Sequence, residues 1–324
     1  MTRSRIAWFL VSAGLALLLV LGLLRVGRLD LGKIAGMIAS VRSLPLLAIT
    51  LLLCINSFLG GEKWRIVVLQ VDPPTGRALP RSLYFALSAV GVGLGQLLPA
   101  QVSMALCRWL GSRAFGGRPV MRGIGATLIE QLFDVVAAAL IALPTIVVLV
   151  SGAGARAWAA MAVAAAIAGW LLCGVGEGLV ASIARLAAQV DATWRGGTML
   201  SRLAASGVVA AAVTRPLLLL SLLRIAVLTL ISAVSAAAVG LDIPFWQLGA
   251  AFPFGMFGTA LSLTPGGIGA SEWGLVSVLA GLGTPMQMAV QWAIACRLLV
   301  MFAAVIGAVV GVLLAVSRQH PAML

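Results

Sequence analysis

Long apolar stretches separated by short polar segments dominate the chain. Residues 7–24, 44–60, 135–150, 157–176, 225–241 and 298–316 are each long or apolar enough to belong to a helix that crosses a bilayer. In lipid the backbone must satisfy its own polar groups, which leaves a helix bundle or a closed barrel. Barrel strands alternate apolar and polar with period two, and these runs do not. The pattern therefore predicts an all-α polytopic membrane protein.

A first span is expected at about 7–24, uncleaved, because no convincing small-residue processing site follows it. Residues 30–43 alternate apolar and polar at helical spacing, as in a helix lying along the interface. The second span, 44–69, closes on Trp64 and Arg65, residue types that anchor at membrane surfaces. Asp72, Pro73, Pro74 and Gly76 then mark a turn. Segment 82–113 is apolar but broken by Gly91, Gly93, Gly95 and Pro99. Spans follow at 120–150 and 156–176, then an amphipathic piece at 177–204, then a span within 206–240. Segment 246–282 is again broken, at Thr264-Pro265-Gly266-Gly267, and a last span occupies 286–316.

The two broken segments share a register. Pro99 and Pro265 lie 166 residues apart, as do Gly117 and Gly283, and Pro119 and Pro285. The order of elements also repeats: span, amphipathic piece, span, broken pair, span. This predicts an internal duplication, residues 1–150 and 151–324. Loop charge gives a direction. With the N-terminus inside, Lys63, Arg65, Arg77 and Arg81 fall inside, as do Arg113, Arg118 and Arg122 if 82–113 dips in and returns. The region 177–205 is inside, loop 241–245 outside, and the C-terminus inside with Arg318. Residues 25–43, with four basic side chains, go against the rule. The expected architecture is about six full spans and two re-entrant hairpins entering from opposite faces, an inverted-topology repeat of the kind found in secondary transporters.

Composition changes this picture little: 62% of the 324 residues are hydrophobic and 10% charged, far from a water-soluble domain. The net charge of +13 flanks apolar runs, so it points to an anionic leaflet and not to nucleic acid. Cys54, Cys107, Cys173 and Cys296 sit in or beside apolar segments with no CxxC spacing, and His320 is the single histidine. Neither a metal site nor histidine-based hydrolysis is indicated, and no cofactor is expected.

Charged side chains deep in a bilayer cost ~2.5–3.5 kcal/mol each on insertion scales and mark function by default. Glu130 and Asp134 lie one turn apart on one helix face; Arg297 occupies the position matching Gln131 at the 166-residue offset. Arg215 and Arg224 interrupt 206–240, and Glu272 follows Pro265 by seven residues. Two readings stay open: a structural ion-pair network, or the lining of a cavity in which Glu130 and Asp134 face Arg297. Arg215 either joins them or snorkels to the interface. The break Pro265-Gly266-Gly267-Ile268-Gly269 is either a tight turn or a helix start that presents N–H groups to an anionic head group.

The run Pro265-Gly266-Gly267-Ile268-Gly269-Ala270-Ser271-Glu272, the helix segment Glu130-Gln131-Leu132-Phe133-Asp134, the break at Leu98-Pro99 and Lys63-Trp64-Arg65 resemble the lysylphosphatidylglycerol synthase transmembrane-region family, also called flippase-like. The resemblance covers most of the chain. It implies a helical inner-membrane domain linked to lipid movement, with aminoacylated phosphatidylglycerol as cargo in members fused to a cytosolic synthase. Members usually carry Glu-Arg where this chain has Glu130-Gln131, and a Gly and an acid where it has Ser103 and Met104. No synthase domain is present, so lysyl transfer is not expected.

The leading expectation is thus a non-enzymatic lipid transporter of a bacterial inner membrane. Its cargo would be an anionic or polyprenyl- or hopanoid-type lipid, its termini cytoplasmic, and its site residues Glu130, Asp134, Glu272, Arg297, Arg224, Pro99, Pro265, Gly266, Gly267 and Gly269. An enzyme using Glu130 and Asp134 as acid and base, and a scaffold for a lipid-modifying partner enzyme, are the alternatives.

Overall fold

A computed structural model of the chain describes residues 3–27, 31–71, 79–114, 120–174, 211–261 and 264–317. The described residues form eleven α-helices and no strand. They are α1 (Arg3–Val26), α2 (Leu31–Ala39), α3 (Ser43–Val71), α4 (Arg81–Leu94), α5 (Ala100–Ala114), α6 (Ala126–Ser151), α7 (Ala155–Cys173), α8 (Ala211–Ala238), α9 (Phe245–Leu261), α10 (Ala270–Gly281) and α11 (Met286–Ser317). A π-helical turn, Val120–Gly125, runs directly into α6, and a 3₁₀ turn, Pro265–Gly267, precedes α10. The amphipathic piece expected at 177–204 lies outside the described residues, as do Gly117, Arg118 and Pro119.

Among the described residues, five helices are long and apolar enough to cross a membrane: 43–70, 123–151, 155–173, 212–238 and 286–314. The chain is thus a multi-pass membrane protein. The four helices of the two broken segments are shorter. With 14, 15, 17 and 12 residues in α4, α5, α9 and α10, none reaches the ~30 Å of a hydrocarbon core at ~1.5 Å per residue. Each pair turns over a glycine- and proline-containing break: Pro99 removes a donor in the first, and Gly266, Gly267 and Gly269 adopt positive φ in the second.

The 166-residue offset reappears in the helix bounds. Added to 120–151, the π-turn with α6, it gives 286–317, the bounds of α11. Added to α3 it gives 209–237, against 211–238 for α8. The packing follows the same exchange. Contacts of α3 with α4, α4 with α5, α3 with α11 and α4 with α11 are answered by α8 with α9, α9 with α10, α8 with α6 and α9 with α6. Helices α3 and α8 pack on each other at the centre.

Burial follows the pattern of small and large apolar residues. One core gathers Leu248, Val276, Leu279, Val290 and Trp292 from α9, α10 and α11. A second joins Trp64, Val67, Tyr84, Ala126 and Leu217. Trp64 is therefore no interfacial anchor: it is fully buried, with its ring edge-on to Tyr84 at 4.8 Å between centroids. Helix α3 simply continues past it to Val71, and Tyr84 from α4 closes over it.

Candidate functional site: a charged cavity between two helix breaks

The two breaks touch. The Gly266 N–H donates to the Leu98 carbonyl at 3.1 Å. Gly266 has φ +60°, and a Cβ there would stand 2.9 Å from the Gln96 carbonyl oxygen, so the close approach needs glycine. Thr264 Oγ1 donates to the Ile268 carbonyl at 2.9 Å, and the Gly267 N–H to the Thr264 carbonyl at 3.0 Å, which closes the second break on itself. Pro99, half-buried, opens α5, its carbonyl accepting from the Ser103 N–H at 3.0 Å.

Glu130 and Asp134 lie on α6, and three cations converge on them. Arg108, fully buried on α5, pairs with Glu130 Oε2 through Nη1 and also donates to Thr127 Oγ1 (3.2 Å), the Gly60 carbonyl (3.3 Å) and Ser88 Oγ (3.3 Å). Its guanidinium lies over the Trp64 ring, 4.9 Å from the centroid. Lys63, also fully buried, reaches Asp134 Oδ1 at 2.5 Å and the Glu130 carbonyl at 3.1 Å. Arg224, from α8, places Nη1 2.5 Å from Asp134 Oδ2 and 3.5 Å from Glu130 Oε1, and its Nε donates to Asn56 Oδ1 at 3.1 Å. Charges this deep persist only when paired and hydrogen-bonded, and both carboxylates are.

A second, smaller group lies at the break before α10. Glu272 Oε2 accepts from the Gly269 N–H at 2.6 Å, closing the first turn of α10, and Oε1 lies 3.4 Å from Arg297 Nε. Arg297 Nη2 donates to the Gly266 carbonyl, so α11 grips the break. Arg297 thus shares a cavity with Glu130 and Asp134, but its ion-pair partner is Glu272 and not either of them. The start of α10 is not an empty anion site, because the chain supplies its own carboxylate there.

Between the two groups lies a cavity of about 590 Å³. Its wall includes Glu130, Asp134, Arg224, Glu272, Arg297 and Gly266, all singled out from the sequence. Pro99, Gly267 and Gly269 shape the breaks and are not part of that wall; the Pro265 ring lies outside the description. Met104 lines the cavity against Gly91, while Ser103 Oγ donates to the Gly91 carbonyl at 3.2 Å. Sequence reasoning missed Arg108 and misplaced Lys63. Arg108 carried a signal, a lone arginine inside a segment otherwise assigned to the membrane. Lys63 was hidden by neighbours Glu62 and Arg65, which give that stretch the look of a loop. Arg215, between the two readings offered, has its guanidinium 5.7 Å from the Trp170 ring and stands apart from the cluster. Among the described residues no group of histidine, cysteine and carboxylate side chains has the arrangement of a metal site.

Comparison with curated proteins gives no match. The family model described as lysylphosphatidylglycerol synthase TM region matches residues 8–318, nearly the whole chain. It is the run of buried charges and helix breaks within that range that the geometry above explains, and the chain belongs to the lysylphosphatidylglycerol synthase transmembrane-region family.

Proposed function

We propose that the protein moves an amphipathic lipid between the leaflets of a bacterial inner membrane, with both termini cytoplasmic and the two broken segments as re-entrant hairpins of an inverted repeat. The observation that carries the reading is the cavity: a mostly apolar space with charged side chains set in its wall, where two helix breaks meet. Its volume falls in the range of roughly 300–1,000 Å³ typical of ligand pockets. Breaks of this kind are tolerated at membrane depth where protein covers them or water lines them. The cluster holds four cations, Lys63, Arg108, Arg224 and Arg297, against three carboxylates, Glu130, Asp134 and Glu272. That balance suits an anionic head group.

The acid–base alternative is less well supported. Glu130 and Asp134 are each already engaged by two cations, and among the described residues no metal site accompanies them. The test is a vesicle assay with this protein alone. Fluorescent phosphatidylglycerol in the outer leaflet should become inaccessible to dithionite-type quenching, and Arg297→Gln should insert normally yet lose that movement. Product formation from the lipid without any change of leaflet would overturn the reading.

A further inference from the structure

The cavity is not equally closed on its two sides, and the two sides occupy equivalent places in the packing. One side is the seam between α4 and α11, the other the seam between α9 and α6. The α4–α11 seam is closed by small residues. A Cβ on Gly93 would stand 2.6 Å from the Ala308 Cβ, and one on Gly311 would stand 2.9 Å from the Ala86 carbonyl oxygen. Shifting by 166 residues, the hairpin positions Ala86, Val90 and Gly93 become Phe252, Met256 and Thr259, and Gly311 becomes Thr145. Phe252, Met256 and Thr259 all line the cavity. Larger side chains thus stand where glycine and alanine shut the other seam.

In the α6–α9 seam, Phe252 and Met256 pack against the cluster of Ala137 and Ala138, and the hydrogen bonds lie towards one end. Thr145 Oγ1 donates to the Ala250 carbonyl at 3.1 Å, and Trp158 Nε1 donates to Thr145 Oγ1 at 3.0 Å. Towards the start of α6, Leu128 and Leu132 are each 59% exposed and yet belong to the cavity wall, as does the exposed Ala260 at the far end of α9. A wedge-shaped apolar gap therefore leads from the bundle surface to the charged cluster. At its inner end stands Arg224, whose Nη2 has no protein partner among the described residues.

Resting on the transport reading, we propose that the gap between α6 and α9 is a lateral portal occupied by the acyl chains of an anionic phospholipid, whose phosphate is held at Arg224. The α4–α11 seam is its closed counterpart. Apolar chains remain against Leu128, Leu132, Phe252 and Met256, where water would be unfavourable, while the head group meets the cluster's surplus positive charge.

The full chain in phosphatidylethanolamine–phosphatidylglycerol vesicles, doped with phosphatidylglycerol carrying a mid-chain diazirine, decides the matter by irradiation and peptide mass spectrometry. Adducts are expected on the inner wall, at Phe252, Met256 and Leu228, with none on the α4–α11 seam around Gly93 and Ala304. Arg224→Gln should lose the inner-wall adducts and keep those on outward-facing Leu298. If that variant fails to fold, the parent's adduct pattern alone decides. Equal labelling of both seams, or labelling confined to outward-facing leucines, overturns the portal. Inner-wall adducts in a protein that moves no lipid would uphold the portal and sink the transport reading; lipid movement without inner-wall adducts would do the reverse.

Discussion

Helices α5 and α6 carry a buried ion pair, and so do their counterparts α10 and α11, but the charges are exchanged. In the first half the hairpin supplies the cation, Arg108, and the long helix the acid, Glu130. In the second the hairpin supplies the acid, Glu272, and the long helix the cation, Arg297. The surroundings differ as well. Arg108 is sealed under Trp64 with four oxygen-bearing partners, whereas Arg297 lines the cavity and grips the backbone of a break. A shared packing plan thus yields one half built as an anchor and one built as a contact that can change. The anchor should dominate stability, and the other pair should dominate transport.

The sharpest way to break this comparison is Arg108→Met. It strands Glu130 with only the longer contact to Arg224, and losing one partner of a buried pair costs ~3–5 kcal/mol. Denaturant unfolding in detergent should show that loss. Arg108→Met with Glu130→Leu should recover most of it, because apolar replacement of a whole buried pair is often near neutral. No recovery would mean that Arg108 acts through its bonds to Gly60 and Ser88, not through charge.

Second in size is Glu272→Ala, which removes the acceptor for the Gly269 N–H as well as the partner of Arg297. A hydrogen bond to a charged group is worth ~1.5–3 kcal/mol. Glu272→Gln should keep most of the stability, since its amide oxygen still caps α10, while lipid movement falls with the lost charge. If both variants unfold alike, the carboxylate's charge and not its cap holds the break.

How much of this was legible in the sequence depends on what each residue's neighbours say. The breaks were legible because proline and glycine act locally: Pro99, Gly266 and Gly269 mark turns whatever surrounds them. The 166-residue offset was legible because it separates three matched pairs of glycine or proline, and the bounds 120–151 and 286–317 repeat it. Which acid meets which base was not legible. Glu130 and Arg297 lie on helices that periodicity places well, but the partner is set by rotation and approach of helices, to which a one-dimensional pattern is blind. Lys63 lies 20 residues into α3, ~30 Å at helical rise, where a span that began at one surface would reach the other. Only the packing of α4 and α6 around it shows that it is buried.

Third, the two seams should respond differently to bulk. Gly93→Val forces a branched side chain against Ala308 and the Ala304 backbone, and overpacking of this kind costs ~1–3 kcal/mol. Thr259→Val, at the matching position beside the cavity, forfeits the 3.0 Å hydrogen bond from Oγ1 to the Gly255 carbonyl, ~0.5–1.5 kcal/mol, but adds no overpacking because open space adjoins. Thermal unfolding in detergent of the two variants side by side measures the difference. Equal losses would show that the α6–α9 seam is packed as tightly as its counterpart and remove the physical basis for an asymmetric opening.

The smallest effect belongs to charges that look like the cluster in sequence but not in space. Arg65 donates through Nε to Glu62 Oε2 at 2.8 Å, and Arg81 approaches Glu62 at 3.4 Å. Lys63, between Glu62 and Arg65 in sequence, is fully buried, yet Arg81 keeps 70% of its side chain exposed. Exposed pairs of this type are screened and held loosely, so Arg81→Ala should change unfolding by no more than ~0.5 kcal/mol and leave lipid movement at the parent rate. Lys63→Met, by contrast, leaves Asp134 with Arg224 alone and should slow movement severely even where the protein folds. A double-mutant cycle of Lys63 with Asp134 against one of Arg81 with Glu62 reads the contrast directly. A coupling for the surface pair as large as for the buried one would mean that the end of α3, Glu62 and Arg65 included, is part of the working cluster.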